Sequence, residues 1–313
     1  MENAVDYSPI EPLRLSVPDA VAGRRLDQAL ALLLPRHSRS RLQGWVRDGL
    51  VAIDGEIERE ARRKLRGGER LAVSEPPPDA RDSPSLPEDI PLAVVFEDET
   101  LLVIDKPAGL VVHPGSGNWN GTLMNALLHH APGIEAIPRA GIVHRLDKDT
   151  SGLLVVAKTL EAQTSLVRQL QARQVKRIYL ALAAGAIERG GEVDAPIGRH
   201  PTQRVRMAVV PEHRGGKPAL TRYRILQAFA RCTLVECSLA TGRTHQIRVH
   251  LASIGHPLVG DPVYGRPTAN LPEFPRQALH AACLGLTHPC SALAMQWEAP
   301  LPQDMRDLLE NLR

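Results

Sequence analysis

Residues 141–157 read Gly141-Ile142-Val143-His144-Arg145-Leu146-Asp147-Lys148-Asp149-Thr150-Ser151-Gly152-Leu153-Leu154-Val155-Val156-Ala157. The stretch is dense in polar and charged side chains up to Gly152 and wholly apolar after it. A short apolar run next to a glycine suits a central strand buried on both faces. A cluster of His, Arg, Asp, Lys and Thr leading into such a strand is a poor choice for packing alone. Loops held at strand ends by a rigid sheet are common places for chemistry. Arg145 and Asp147 stand two apart, so on an extended segment they face the same side.

Outward from this stretch the chain stays rich in strands. Leu101-Leu102-Val103-Ile104 is a second apolar run of central-strand type. Leu234-Val235-Glu236-Cys237-Ser238-Leu239 alternates, which predicts a half-exposed strand. Lys176-Arg177-Ile178-Tyr179-Leu180-Ala181-Leu182 is a strand with a lone tyrosine, which taken alone reads as a core residue. Helices are expected after Thr122, and from Thr159 to Gln171 with Leu160, Val167 and Leu170 turned inward. A third is expected to open at Thr244 and stop at Gly255. It puts Ile247, Leu251 and Ile254 on one face and Thr244 and Arg248 on another. An arginine presented rigidly there needs a carboxylate partner if buried, and Asp147 is a candidate. The fold class that follows is α+β, a mixed, largely antiparallel sheet flanked by helices.

A proline-rich, acidic stretch at 75–90 reads as an extended linker. It separates a small module, 13–74, from a catalytic domain, 91–313. In the module, Leu26, Leu30 and Leu33 recur at helical spacing. Ser38 is placed to cap a second helix, with Leu42, Trp45 and Val46 inward and Arg39, Gln43 and Arg47 as an outward stripe. Val51-Ala52-Ile53-Asp54-Gly55 marks a strand pair with an Asp-Gly turn. Arg62, Arg63 and Lys64 form a second basic cluster.

The formal net charge is only +3. It is unevenly spread: 13–74 carries +5, 75–90 carries −4, the first twelve residues −3 and the rest +5. Basic modules on both sides of an acidic linker suit a polyanionic partner. Aromatic residues are 3% of the chain, which argues against a stacking platform for single strands and favours a shaped stem-loop. No apolar run reaches the roughly 20 residues that span a bilayer, and the acidic N-terminus is not a signal peptide, so the chain reads as cytoplasmic. Four cysteines without CxxC spacing read as buried reduced thiols. No metal or nucleotide fingerprint is present: His245 and His250 lack the i, i+4 spacing of a helical zinc pair, and Ser151 lacks a GxSxG elbow. His245, His250 and His280 read as structural hydrogen-bonders. Nothing marks an apolar interface, so a monomer is expected.

His144-Arg145-Leu146-Asp147 followed by Thr150-Ser151-Gly152-Leu153-Leu154-Val155 resembles the signature of the RluA family of pseudouridine synthases. Gly242-Arg243-Thr244-His245-Gln246-Ile247-Arg248-Val249-His250 resembles the family's second motif. Gly260-Asp261-Pro262-Val263-Tyr264-Gly265 and Arg276-Gln277-Ala278-Leu279-His280-Ala281 resemble later ones. The small module resembles an S4 RNA-binding domain through Arg25–Leu30, Ser38–Arg41 and Val51–Gly55. Within the family, His113–Gly117 with Gly121-Thr122, and Gly198–Thr202, most resemble the D type, which acts on the large ribosomal subunit. A shorter segment between Tyr264 and Arg276 departs from that type.

The resemblance implies an RNA isomerase without a cofactor, acting on large-subunit ribosomal RNA or its precursor, at the helix 69 stem-loop. It implies Asp147 as the catalytic carboxylate, acting either by attack at C1′ or by promoting a glycal-like intermediate. Arg248 becomes its ion-pair partner and Tyr179 a residue stacked on uracil, where the family also proposes removal of the C5 proton. Arg145 fills the space left by a flipped nucleotide, and Ile247 adds an apolar wall. Arg39, Arg47, Arg62, Arg63 and Lys64 bind RNA backbone. Two rivals stand beside this reading. A non-catalytic ribosome-assembly protein would keep its role with Asp147→Asn, and a base-excising glycosylase would release free uracil.

Overall fold

Leu26, Leu30, Leu42, Trp45 and Val46 are each at most 4% exposed and knit two short helices into one small core. The computed structural model describes residues 12–35, 37, 39–75, 86–115, 118–203, 206–265 and 273–312. Ser38, the linker residues 76–85, Ser116-Gly117 and the stretch 266–272 in the shortened segment lie outside the described residues. The chain divides into two units, Met1–Ser83 and Pro84–Arg313.

The first unit runs β1 (Leu13–Ser16), α1 (Leu26–Leu33), α2 (Arg39–Arg47), β2 (Val51–Ile53), β3 (Glu56–Ile57) and β4 (Arg70–Val73). Its antiparallel sheet has the order β1-β4-β2-β3. The turn between β2 and β3 has Asp54 and Gly55 both at positive φ, as a two-residue hairpin requires. The expected outward stripe on α2 is corrected in part. Arg39 and Gln43 turn back onto Asp27, a fully buried residue of α1, at 2.7 and 2.6 Å, leaving Arg47 exposed. A buried carboxylate needs several donors, and those two side chains with Arg25 supply them.

The second unit contains β5 (Val94–Glu97), β6 (Leu101–Lys106), α3 (Leu123–His130), β7 (Ser151–Ala157), α4 (Leu160–Gln171), β8 (Lys176–Ala184), β9 (Gly191–Asp194), β10 (Ile197–Arg199) and β11 (Met207–Val209). It continues with β12 (Leu220–Ala228), β13 (Cys232–Leu239), α5 (Gln246–Ser253), β14 (Leu279–Thr287), β15 (Ala294–Glu298) and α6 (Gln303–Glu310). A nine-stranded sheet has the order β5-β6-β7-β14-β8-β13-β12-β9, with β15 also on β14. The β7–β14 pairing is parallel and the others are antiparallel, so the sheet is mixed and mostly antiparallel, as expected.

β13 alternates as expected from Val235 to Leu239, with Glu236 half-buried and Ser238 exposed between buried Val235, Cys237 and Leu239, while its first four residues are all buried. Two local expectations are corrected. On α4 the buried residues are Ala162, Leu166 and Gln169, while Leu160 is 55% exposed. Thr159 caps this helix by accepting from the Ala162 N–H, and Leu160 stands at its exposed start. Of the cysteines, Cys232, Cys237 and Cys283 are buried free thiols and Cys290 is exposed. Among the described residues no helix is long and apolar enough to cross a membrane.

Candidate active site

The polar stretch before β7 is fixed through its own backbone. Lys106, fully buried at the end of β6, donates from Nζ to the carbonyls of Pro107, Leu110 and Lys148 at 2.7–2.9 Å. Burial pushes its pKa down to about 8, and the three carbonyls favour its charged form at neutral pH. Arg276 donates to the Asp149 carbonyl at 3.0 Å while Asp304 of α6 grips its Nε and Nη2. Gln277 reaches the Thr150 hydroxyl at 3.1 Å. Leu146 is buried in the core, and Arg145 and Asp147 on either side of it both line the cavity.

Helix α5 starts two residues later than its sequence suggests. His245 adopts a left-handed conformation, φ 56°, and Gln246 organises the turn with its side chain. Its Oε1 accepts from Arg243 N and Thr241 Oγ1, and its Nε2 donates to Leu220 O and Thr221 Oγ1. Arg248 therefore falls in the first turn, 4% exposed. Its Nη1 donates to Asp147 Oδ2 at 3.0 Å. Its Nε and Nη2 donate to both oxygens of Asp261 at 2.8 and 2.9 Å. Burial works against the guanidinium's charge, but Asp261 and then Asp147 outweigh it, and the pKa is raised. Burial also pushes Asp261 up, yet Arg248 and the N–H groups of Tyr264 and Val263 hold it below the usual carboxylate range.

Asp147, His245, Gln246 and Arg248 face one cavity of about 550 Å³. Tyr179 lines it from β8, 6% exposed, with Ile247 of α5 at 3%. Burial pushes the Tyr179 phenol up to about 12, with Asp147 adding to the rise and Arg177 opposing it. The ring stays neutral near pH 7. His245 Nδ1 shares a 2.9 Å hydrogen bond with the Tyr264 hydroxyl, and its Nε2 stands 3.9 Å from Asp147 Oδ1. Burial pushes His245 down, against the pull of Asp147. Met207 N donates to the same Tyr264 hydroxyl, and the Arg248 guanidinium lies 5.2 Å from the Tyr264 ring centre.

The structure thus brings together Asp147, Arg248, Tyr179, Ile247 and Arg145, the last of them exposed at the cavity. Arg39, Arg47, Arg62, Arg63 and Lys64 belong to the other unit; all are exposed, with Arg39 held by Asp27 and Arg63 by Glu58 at 2.7 Å. His250 and His280 are buried between hydrogen-bond partners, Thr221 and Ala195 for one, Ser151 and Ala299 for the other. Sequence reasoning missed Asp261 as the second carboxylate on Arg248, Tyr264 beside His245, and Lys106 under the loop. Each sits in a short polar motif (Gly-Asp-Pro, Val-Tyr-Gly, Asp-Lys-Pro), which was the available signal. Among the described residues no group of three or more His, Cys, Asp or Glu side chains is placed to hold a metal ion.

Residues 100–253 match the family model described as RNA pseudouridylate synthase, and residues 24–71 match the S4 domain. The chain is 59% identical to ribosomal large subunit pseudouridine synthase D of Nitrosomonas europaea, over 96% of this chain and 88% of that one. It is 56% identical to the protein of the same name from Pseudomonas aeruginosa, over 95% and 94%. Among solved structures it resembles human RNA pseudouridylate synthase domain containing 1, with a TM-score of 0.55 and 27% identity over 76% of this chain and 97% of that one.

Proposed function

The chain belongs to the RNA pseudouridylate synthase family, and from that premise we propose that it isomerises uridines in the helix 69 stem-loop of large-subunit ribosomal RNA, with Asp147 as the catalytic carboxylate. The relatives named above are ribosomal large subunit pseudouridine synthases, and similarity over nearly the whole chain supports that substrate class here. The reaction breaks the C1′–N1 bond, turns the uracil, and forms C1′–C5. The C5 proton leaves, N1 takes one up, and no redox step or cofactor is required.

The observation that carries the reading is the 3.0 Å ion pair of Asp147 with Arg248 inside a cavity that Tyr179 and Ile247 also line. The target nucleotide leaves its stack to enter the cavity, and Arg145, exposed beside Asp147, takes up the space it leaves. Asp147 acts at the ribose, where attack at C1′ and assisted departure of the base both call on the same carboxylate. Tyr179 stacks on the uracil as a neutral phenol, and Ile247 forms the apolar wall. The S4 unit anchors the stem-loop through Arg47, Arg62 and Lys64, with Arg39 and Arg63 at its edge. The enzyme works as a monomer in the cytoplasm on the large subunit or its precursor.

Asp147→Asn is the direct test, because it keeps the shape and the hydrogen bond to Arg248. Pseudouridine in a helix 69 stem-loop should fall to background while RNA binding stays within about threefold (~0.7 kcal/mol). Retained isomerisation would remove Asp147 from the chemistry, and release of free uracil by the unaltered chain would mark a glycosylase. Mapping pseudouridines in cells lacking the gene tests the target, which unchanged helix 69 would refute.

A further inference from the structure

One buried cation in the cavity has no hydrogen-bond or ion-pair partner among the described residues. Arg177 is 7% exposed and lines the same space as Asp147 and Tyr179. Its Nε is buried without a hydrogen bond, and no ion pair or hydrogen bond to its guanidinium exists among the described residues. Arginine stays charged in proteins, so the fold carries a desolvated positive charge that nothing neutralises. Burial opposes that charge, with only the Tyr179 hydroxyl in its favour. Its position is enforced by its surroundings. Arg177 and Tyr179 are alternate residues of β8 and point to one face. Even a Cβ on Gly242 would come within 2.6 Å of Arg177 Nη1.

The cavity wall explains what such a group is for. Arg139, Arg145, Arg173, Arg177, Arg243 and Arg248 line it, and Asp147 is the one carboxylate among the described lining residues, already held by Arg248. The missing counter-charge therefore comes with the ligand. A ribose presented to Asp147 has a phosphate on its 5′ side and another on its 3′ side, so an anion lies within a sugar's width of the reacting carbon. We propose that Arg177 is a substrate-binding residue that takes a backbone phosphate flanking the uridine turned into the cavity. This rests on the reading of the cavity as the uridine site. It adds that the guanidinium is held without a partner in the free protein so that binding, rather than folding, neutralises it. A planar fork of N–H donors matches phosphate oxygens in a way a carbonyl of the base does not.

The test pairs Arg177→Gln and Arg177→Lys with stem-loop RNAs carrying one neutral methylphosphonate 5′ or 3′ of the target uridine. Affinity is read by fluorescence anisotropy on the full chain, pseudouridine formation on the same RNAs, and melting temperature without RNA. Arg177→Gln should weaken binding of the unmodified RNA about 10–100-fold, as loss of a charged hydrogen bond does. It should weaken binding of one of the two methylphosphonate RNAs less than threefold further. The lysine variant should recover part of the loss, and the melting temperature of Arg177→Gln should hold or rise, since an unpaired buried charge has been removed. Losses that multiply at both phosphates would overturn the proposal and point to a uracil carbonyl. A lowered melting temperature with no recovery by lysine would reduce Arg177 to a structural residue. If the unaltered chain bound the stem-loop but formed no pseudouridine, the functional reading would fail while the binding data still decided the role of Arg177.

Discussion

Arg248 divides a single guanidinium between two carboxylates of different standing. Asp261 accepts from Nε and Nη2, a two-point grip that fixes the plane of the group, and Asp147 receives only Nη1. The orientation of the pair is thus set by Asp261, which stands outside the cavity lining. With Asp261→Ala, Arg248 is free to turn both remaining nitrogens toward Asp147 and draw it off its position. A displacement of about 1 Å at a reacting group costs about 100-fold in rate, and breaking a buried pair costs about 3 kcal/mol of stability. Single-turnover pseudouridine formation should fall by that order while RNA affinity stays within threefold, and a rate within threefold of the parent would refute the positioning role. Asp147 with Arg248 was legible in the sequence because both lie in motifs dense with charge. Asp261 was not, because nothing local to Gly260-Asp261-Pro262 says that its partner lies thirteen residues back on α5.

The parallel contact between β7 and β14 is the element that seats the site. It pairs Ser151 with His280 and Gly152 with Ala281, immediately after the loop that carries Asp147. Gly152 has φ 110°, and a Cβ there would meet the Ala281 carbonyl oxygen at 2.3 Å. Gly152→Ala should therefore destabilise the fold by about 2–4 kcal/mol through backbone strain and overpacking. Urea unfolding would check this, and a midpoint equal to the parent's would refute it. Strand cores such as 101–104 and 153–157, and the helix starts near Thr122 and Thr159, were readable because their causes are local in sequence. The start of α5 was not, because Gln246 organises that turn by reaching Leu220 and Thr221, some 25 residues away.

Within the larger unit, burial disfavours the charged form of five histidines. Burial pushes His113, His245, His250 and His280 down, and His144, whose Nε2 accepts from the Val155 N–H at 3.1 Å, falls to about 3 from an ordinary 6.5. For His144 the folded value lies below the unfolded one, so in acid the unfolded chain binds a proton that the fold refuses. Its contribution to stability is complete above about pH 6.5 and is lost progressively as pH falls toward 3. His144→Gln should flatten the decline of stability between pH 6.5 and 4 by up to one proton, about 1.4 kcal/mol per pH unit. Denaturant titrations at a series of pH values would measure it, and parallel slopes for variant and parent would place the acid sensitivity elsewhere. The expectation of a small module and a larger domain came from the proline-rich stretch between two differently patterned halves, and the two compact units divide between Ser83 and Pro84 within that stretch. The strand order within the larger sheet was not readable, since pairings such as β7 with β14 join residues more than a hundred apart.

Part of the grip on the Asp147 loop is supplied late in the chain. Arg276 holds the Asp149 carbonyl, Asp304 holds Arg276, and β14 seals Gly152 in place. A polypeptide is synthesised from its N-terminus and folds as it emerges. Asp147, Tyr179 and Arg248 are therefore all made before any of those supports. During the addition of residues 249 to 304 the nascent chain carries the proposed catalytic side chains without the geometry that couples them. The Arg276–Asp304 support under the Asp149 carbonyl is thus complete only once α6 has been made.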